Sequence, residues 1–439
     1  MRFAVRGGAW VAVYFGVAVA PLIFALIDLD PGRGFLINLS VALGFVGLSM
    51  IGLQFALVAR FERVAAPFGI DALLRLHRKI SYVALTFILL HPALLVFDKS
   101  KFLGLFDVET DPWRARFAIL ATVGLLLLIG LSIWRRHTRL SYETWQLTHA
   151  LLAVVVSVAA LTHVLLVGYY VDEPWEQALW VLMSAAFIAL LVWVRILKPL
   201  ERRRHAWQIE RIEPERGDCW TLVLRPQHHG AEPFEFEPGQ FAWLIAGQSP
   251  FAITHHPFSF SSSAEQKDHV ALTVKAAGDF TSRIKALAPG ADVYLDGPHG
   301  SFTVDRHEAS GFGLIAGGVG ITPIMSIMRT LADRGDERPR YLFVCNRDWN
   351  SVTFREELDE HGSLLNCEVV YVLSDADETW AGERGHLGSE LLRRHLPHGC
   401  ERLQYFTCGP SAMMDAVEKA LAELGVARSR VHSERFTMV

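Results

Sequence analysis

Apolar residues fill most of the first half of the chain and fall into six long runs. The runs cover residues 9–27, 35–59, 80–97, 117–134, 147–167 and 178–194. Each run is close to the roughly 20 residues that a helix needs to cross about 30 Å of hydrocarbon. Because short loops join the runs, the pattern predicts a compact bundle of six transmembrane helices.

The pattern changes after residue 196, where polar positions and turn residues become frequent. GQFAWLIA (239–246) is typical of a strand, and ALTVKAAGDFTSRIKAL (271–287) alternates before it enters a helix that begins near Thr281. YLFVCNRD (341–348) and EVVYVLS (368–374) are typical of parallel strands between helices. The boundary between the two halves falls near KPLERRRHAW (198–207).

Basic residues indicate how the bundle lies in the membrane. Lys and Arg in short loops stay on the cytoplasmic side, and here they cluster at 2–6, 60–79, 135–139 and 198–204. Both termini and the polar half are therefore predicted to be cytoplasmic. An alternative is that the first run is a signal peptide with a cleavage site at AVAP (18–21). The run continues to residue 27, however. The basic residues also fall on alternate sides of successive helices most consistently when this first run is counted as a membrane helix.

Composition narrows the class of protein further. Hydrophobic residues make up 51% of the 439 residues, more than in an ordinary soluble protein. The net charge is only −4, so the charge balance indicates no nucleic-acid partner. The cysteines all lie beyond the bundle, in a reducing compartment, and we expect thiols rather than disulfides. They are Cys219, Cys345, Cys367, Cys400 and Cys408.

Two of the apolar helices carry histidines at the same spacing. The third helix holds His77 and His91, and the fifth holds His149 and His163, fourteen residues apart in each case. Fourteen steps of about 100° return to within about 40° of the starting direction and advance about 21 Å. Because both helices run outward, His77 is level with His149 near the cytoplasm, and His91 is level with His163 near the outside.

Two facing imidazoles at each of two depths are what two bis-histidine haems stacked across the membrane require. A single histidine in a membrane helix is weak support, because it can bond to a neighbouring helix or lie at the headgroups. Four histidines with matched spacing on two parallel helices favour metal binding. We therefore predict that all four are ligands of two b-type haems.

The polar half carries two segments that resemble the ferredoxin-reductase-like flavoproteins. In that superfamily the counterpart of HPFSFSS (256–262) lines the flavin ring, and the counterpart of GDFT (278–281) binds the flavin pyrophosphate. The resemblance places the Ser259 hydroxyl near the reactive flavin N5. It implies that FAD is held by His256, Pro257, Phe258, Ser259, Lys275, Gly278, Asp279, Phe280 and Thr281.

A glycine-rich turn lies between a short apolar strand and a helix in GFGLIAGGVGITPIMSIM (311–328). Glycines let the backbone approach a pyrophosphate at a helix N-terminus. Further on, the strand in LQYFTCGPSAMMDAV (403–417) ends in Cys-Gly-Pro. Both segments match the nucleotide half of the same superfamily. They imply NAD(P)H-binding roles for Gly317, Gly318, Gly320, Thr322, Pro323, Cys408, Gly409 and Pro410.

Over its whole length the chain resembles the NADPH oxidase and ferric reductase superfamily, in its short prokaryotic form. The resemblance implies a six-helix transmembrane haem domain (1–200), an antiparallel β-barrel FAD domain (201–306) and an α/β parallel-sheet NAD(P)H-binding domain (307–439). It also makes Phe436, three residues from the end, the candidate for the aromatic residue that stacks on the flavin, and leaves open whether Phe436 covers the ring or packs nearby. The residues that it places at the reacting rings are Ser259, Cys408 and Phe436.

The implied activity is that of a transmembrane NAD(P)H oxidase in the bacterial cytoplasmic membrane. Electrons would pass from cytosolic NAD(P)H through FAD and two haems to dioxygen outside, giving superoxide. A ferric chelate is the alternative acceptor. A second hypothesis concerns another class of protein. In it the bundle is a haem-free membrane anchor or partner-binding scaffold, and the cytosolic flavoprotein serves a soluble acceptor such as a ferredoxin or quinone partner. Besides the lipid bilayer, the sequence indicates no obligatory protein partner.

Two arginines bear on the donor and the acceptor. Arg347 follows a strand, where a guanidinium can hold a 2′-phosphate bidentately, which favours NADPH while NADH still works. Arg33 lies in the first outer loop, where its charge can stabilise superoxide as it forms. The longest outer loop (97–116) mixes acidic and basic residues and gives no net field to gather a ferric chelate. We therefore expect dioxygen as the main acceptor.

Overall fold

The computed structural model describes residues 2–27, 34–59, 61, 64, 68–99, 102–104, 112–135, 137–138, 140–227, 234–247, 249–252, 255–361 and 367–435. The chain divides into two compact units, Met1–Pro199 and Leu200–Val439.

Long apolar helices form the first unit, and six of them are long and apolar enough to cross a membrane. This confirms the predicted bundle. The helix α2 packs along α3 and α4 packs along α5, while α1 and α6 both pack against α2. The helices are α1 (Arg2–Ala25), α2 (Phe35–Val58), α3 (Ile70–Asp98), α4 (Trp113–Ile133), α5 (Tyr142–Val167) and α6 (Pro174–Val192).

Glycines allow these helices to approach closely. A Cβ atom at Gly52 of α2 would lie 1.9 Å from the ring of Phe187 in α6. At Gly44 of α2 a Cβ atom would lie 3.2 Å from Nδ1 of His91 in α3. Because lipid is as apolar as the side chains, helix association in a bilayer depends on such close packing. Position 44 therefore brings the backbone of α2 against a predicted metal ligand.

The sixth helix changes its winding at its end. A π-turn, Trp193–Leu197, follows α6 and leads into the short basic helix α7 (Lys198–Arg204). A π-turn widens the helix by one residue and is frequently found at functional sites. Here it carries Arg195.

Six antiparallel strands open the second unit, in the order β4-β3-β6-β1-β2-β5. After β4, Phe260 forms an antiparallel bridge with Leu272 of β5, so the two edges of the sheet are joined and a barrel forms. Phe260 and Leu272 are fully buried in its core. The strands are β1 (Trp207–Glu215), β2 (Cys219–Pro226), β3 (Phe241–Ala246), β4 (His256–Ser259), β5 (Val270–Lys275) and β6 (Asp292–His299). A short helix, α8 (Asp279–Arg283), follows β5.

A parallel sheet in the order β10-β9-β8-β7-β11-β12 completes the second unit. Every residue of its central strand β7 is buried, as expected for a strand that is covered on both faces. The strands are β7 (Phe312–Gly317), β8 (Arg340–Asn346), β9 (Cys367–Leu373), β10 (Glu383–Arg384), β11 (Gln404–Cys408) and β12 (Val431–Glu434). The helices are α9 (Ile321–Asp333), α10 (Arg355–His361), α11 (Ser389–His395) and α12 (Ser411–Glu423). The predicted fold class is confirmed, and all the predicted cysteine thiols are free.

Polar contacts from α9 join the barrel to the parallel sheet. Arg329 donates to the carbonyl oxygen of Ser261 at 2.5 Å, and Ser326 Oγ donates to the carbonyl oxygen of Ser262 at 2.8 Å. Arg329 also pairs with Glu357 of α10. Two further contacts are Ala264 N to Thr330 Oγ1 at 2.9 Å and Arg334 to Glu265 at 2.7 Å.

Candidate functional site

The four predicted histidines meet in two pairs between α3 and α5. The ring centroids of His77 and His149 are 6.4 Å apart, and those of His91 and His163 are also 6.4 Å apart. Two imidazoles that bind one metal ion from opposite sides, through nitrogens at about 2 Å, have ring centroids roughly 6 Å apart. The spacing in both pairs therefore fits a single metal ion between the rings.

Hydrogen bonds determine which ring nitrogen is protonated in the His91–His163 pair. His91 Nδ1 lies 2.9 Å from the carbonyl oxygen of Ser40, and His163 Nδ1 lies 2.8 Å from that of Arg114. A carbonyl oxygen can only accept, so Nδ1 is the donor in both rings. In the neutral ring Nε2 then keeps its lone pair. This is the tautomer of a histidine that binds metal through Nε2.

The same reasoning applies to one ring of the His77–His149 pair. Ser132 Oγ donates its proton to the Leu128 carbonyl oxygen at 2.7 Å and lies 3.1 Å from His149 Nδ1. Because that proton is already used, Ser132 accepts from His149 Nδ1, and Nε2 of His149 is left for a ligand. His77 Nδ1 is buried and has no hydrogen-bond partner in the described part of the chain.

The donor set limits the kind of metal that these pairs fit. Among the described residues no group of three or more His, Cys, Asp or Glu side chains is placed to hold a metal ion. A zinc site uses three or four protein ligands. A metal that is already held by a macrocycle needs only two axial ligands, and two imidazoles supply them. The residues present therefore fit two bis-histidine haems.

The predicted flavin residues of β4 come together with those that follow β5. The ring of His256 stacks on Phe280 with centroids 4.2 Å apart, and Phe258 lies 6.3 Å from Phe280. Pro257 and Ser259 belong to the same short strand, β4. Ser259 is buried, and its Oγ has no hydrogen-bond partner among the described residues. A buried hydroxyl without a partner fits a ligand atom such as flavin N5.

The GDFT segment differs from the prediction in one respect. The helix α8 begins at Asp279, not near Thr281. Thr281 Oγ1 accepts hydrogen bonds from the backbone N–H groups of Ala277 and Gly278, both at 2.9 Å, and so closes the first turn. The contacts predicted between Gly278–Thr281 and the flavin phosphates stay a prediction. Lys275 is exposed at the end of β5, and its predicted role in binding FAD also stays a prediction.

The glycine-rich turn meets the Cys-Gly-Pro turn at the carboxyl ends of β7 and β11, which are parallel neighbours. A Cβ atom at Gly320 would lie 2.2 Å from the carbonyl oxygen of Cys408, and one at Gly317 would lie 2.8 Å from Pro410 Cδ. Gly409 also lies against this turn, because a Cβ atom there would lie 3.0 Å from the Cα atom of Gly317. Open α/β sheets bind ligands at this edge.

The remaining residues predicted for the nucleotide site lie beside this turn. Gly318 has a φ of +53°, in the region that favours glycine. Thr322 and Pro323 are buried in the first turn of α9, where Thr322 Oγ1 donates to the Val319 carbonyl oxygen at 2.9 Å. They shape the turn and do not form an exposed surface. Their role in binding the nucleotide stays a prediction.

Glu434 is a site residue that the sequence did not indicate. It pairs with Cys408 across β12 and β11, and both residues are buried. Burial raises the pKa of the Cys408 thiol well above its usual range, and the Glu434 carboxylate raises it further. Cys408 is therefore a neutral thiol at physiological pH. Phe436 and Arg33 lie outside the described residues, and their roles stay predictions.

Arg347 follows β8 directly and lies at the same edge of the sheet. Its side chain is 77% exposed and pairs with Asp375 at 3.3 Å. An exposed ion pair of this kind contributes only about 0–1 kcal/mol, so a phosphate can displace the carboxylate.

We expect Arg347→Ala to lower kcat/KM for NADPH by about tenfold, because a hydrogen bond to a charged group contributes roughly 1.5–3 kcal/mol. NADH lacks the 2′-phosphate and should be unaffected. Steady-state kinetics with both nucleotides measure the effect. Asp375→Asn, which removes the competing carboxylate, should not lower kcat/KM for NADPH. An unchanged nucleotide preference in Arg347→Ala would show that this arginine does not bind the phosphate.

The order of the domains defines an oxidoreductase with FAD-binding and NAD(P)H-binding domains, and the six apolar helices indicate an integral membrane protein. Residues 43–160 match the family described as ferric reductase like transmembrane component. Residues 221–301 match an FAD-binding domain, and residues 314–419 match an oxidoreductase NAD-binding domain. Together these matches show the domain architecture of the NADPH oxidase and ferric reductase superfamily.

Several characterised proteins are similar to part of the chain. The reductase component of propane 2-monooxygenase from Rhodococcus jostii is 28% identical over 241 residues, which are 52% of this chain and 63% of that protein. The stachydrine N-demethylase reductase subunit of Rhizobium meliloti is 31% identical over 211 residues, 46% of this chain and 59% of that protein. The chain thus spans about three fifths of the length of these relatives. A solved cytochrome P450 reductase of Amycolatopsis is 25% identical, with 53% and 69% of the two chains covered and a TM-score of 0.46.

Proposed function

We propose that the chain passes electrons from cytosolic NAD(P)H through FAD and two b-type haems to an acceptor on the outer side of a bacterial cytoplasmic membrane. Dioxygen is the main acceptor and superoxide the product. The domain architecture supports transmembrane electron transfer from NAD(P)H through FAD. The observation that carries the haem assignment is that the histidines face each other in two pairs, with ring centroids 6.4 Å apart within each pair.

In the reductase half, a bound flavin would supply the conversion of a two-electron hydride into single electrons. The side chains of this half bind and orient. His256 and Phe258 line the flavin ring with Phe280, and the buried Ser259 hydroxyl donates a hydrogen bond to it. The turns at Gly320 and Cys408 hold the dinucleotide at the N-terminus of α9, where the helix dipole favours its phosphates.

In the bundle, the haems would supply one-electron steps between the two membrane surfaces. The four histidines hold the metal, and the bonds from Nδ1 to Ser40, Arg114 and Ser132 orient the rings and raise their basicity. No side chain has to move a proton in this path. The distribution of basic residues favours the orientation with both termini and the reductase half in the cytoplasm.

An apolar cluster at the depth of the His91–His163 pair favours dioxygen as the acceptor. Phe45 and Val164, which follow Gly44 and His163 in sequence, belong to a buried apolar cluster with Val171 and Trp180. The rings of Phe45 and Trp180 are 5.2 Å apart. An apolar wall admits a small neutral molecule, whereas a charged ferric chelate loses hydration there without gaining a partner.

The test uses the full chain purified in detergent. Two b-type haems per chain, reducible by dithionite, are expected in the visible spectrum, and their absence would leave only the haem-free anchor. NADPH is then supplied, and the reduction of cytochrome c and of a ferric chelate is followed with and without superoxide dismutase and oxygen. Dismutase should suppress both signals in air. Fast ferric reduction without oxygen, unaffected by dismutase in air, would make the protein a ferric reductase.

A further inference from the structure

Arg195 lies in the π-turn within the sixth membrane-crossing segment, Pro174–Arg204. It is half-buried, and within the described part of the chain it forms no ion pair and no side-chain hydrogen bond. Charged residues in membrane-spanning segments are energetically unfavourable without a partner and usually mark a functional site. An arginine left in this state therefore indicates that an anion binds nearby.

The surroundings of Arg195 contain the inner end of α5. Arg195 is close enough to His149 and to Tyr142 for electrostatic interaction. The guanidinium of Arg135 lies 5.3 Å from the ring centroid of Tyr142 and 5.2 Å from that of Trp145. The ring of Trp145 is in turn 5.4 Å from His149. Two arginines thus lie around one of the proposed metal ligands.

Trp145 provides a second, independent indication of an anion. Its Nε1 atom is buried and has no hydrogen-bond partner among the described residues. An indole N–H can only donate, so it needs an acceptor when it is buried. Arg78, next to His77, is exposed, so water screens its charge. Arg195, Arg135 and the unsatisfied indole N–H of Trp145 therefore lie on the His149 side of the pair.

We propose that Arg195 binds a carboxylate of the haem held by His77 and His149, and that its positive charge raises the reduction potential of this site. The inference deepens the proposed function and rests on it, because haem carries two carboxylates that need partners. A fixed positive charge in a medium of low dielectric favours the state with one more electron. Arg114 lies near His163 in the other pair, but its side chain is exposed, so water screens its charge.

The experiment is a spectroelectrochemical titration of the haem-loaded full chain. The titration uses a His163→Leu background, which removes the haem of the other pair. The one remaining redox transition then belongs to the His77–His149 site. Arg195→Gln is expected to lower the equilibrium constant for reduction of this site about tenfold. For one electron this corresponds to a fall of about 59 mV in the midpoint potential. Arg195→Lys keeps the charge and should keep most of the potential. Arg203 is an exposed arginine of α7, and Arg203→Gln, which removes the same charge, should leave this transition unchanged.

An unchanged potential in Arg195→Gln would overturn the inference. If Arg195→Gln loses the haem at this site, recovery of the haem in Arg195→Lys supports binding through charge, and equal loss in both variants overturns it. A wild-type chain without any b-type haem would overturn the proposed function and this inference with it. A haem-loaded wild type with no response to Arg195→Gln overturns the inference alone.

Discussion

With His163 replaced by Leu, electron delivery to an acceptor outside the membrane is expected to fall to background, while NAD(P)H still reduces the flavin. Leucine has no ligand atom, so His91 alone remains at that site. The two units of the chain are separately compact, so we expect the reductase half to keep its fold. A buried imidazole without its partner destabilises the bundle, so some loss of folded protein accompanies the change.

Three measurements check this result in the same preparation. Flavin absorbance reports reduction by NADPH, the dithionite difference spectrum reports haem content, and dismutase-sensitive cytochrome c reduction reports delivery. His137→Leu is the control, because His137 is exposed and no histidine in the described part of the chain faces it. Wild-type delivery by His163→Leu together with an unchanged haem content would refute the ligand assignment.

The second large effect is expected at Gly320. A methyl group there would lie 2.2 Å from the carbonyl oxygen of Cys408 and 2.9 Å from the backbone nitrogen of Gly409. Because these are backbone atoms, they cannot rotate away, and the two turns must separate. We expect Gly320→Ala to lower the rate of flavin reduction by NAD(P)H at least about a hundredfold, since small misplacements of reactants have effects of this size. Dithionite should still reduce the haems.

Stopped-flow measurement of flavin reduction tests this expectation. The control is Gly388→Ala, at a position in the same fold with ordinary φ of −130° and nothing within 4 Å of the added methyl group. Overpacking at position 320 should also lower the free energy of unfolding by about 1–3 kcal/mol. Normal flavin reduction in Gly320→Ala would mean that the turn does not position the nucleotide.

The sequence was sufficient to predict the transmembrane helices and the facing histidines, because helical geometry converts a fourteen-residue spacing into one face and two depths. It did not indicate Ser40, Ser132 or Arg114, which direct the ring nitrogens. These partners belong to other helices, α2 and α4, and their contacts depend on how those helices are rotated and how they cross. Residue periodicity carries no information about that rotation.

The reductase half shows the same distinction. The motifs around Ser259, Gly320 and Cys408 could be predicted because each is a local sequence pattern that matches a known superfamily. Glu434 could not, because its position beside Cys408 depends on β12 pairing with β11 at the edge of the sheet. The start of α8 at Asp279 was missed because Thr281 closes the turn with its own side chain. Competition between side-chain and backbone acceptors decides such boundaries.

The contacts of α9 with the barrel have a mechanical consequence. Arg329 and Ser326 bond to consecutive carbonyl groups of the chain that follows β4, the strand that carries the flavin motif. A hinge between the two folds would have to break these bonds together with the pairing of Arg334 and Glu265. Domain opening is therefore a poor way to admit the nucleotide, and we expect turnover to be gated by local side-chain motion and not by large-scale closure.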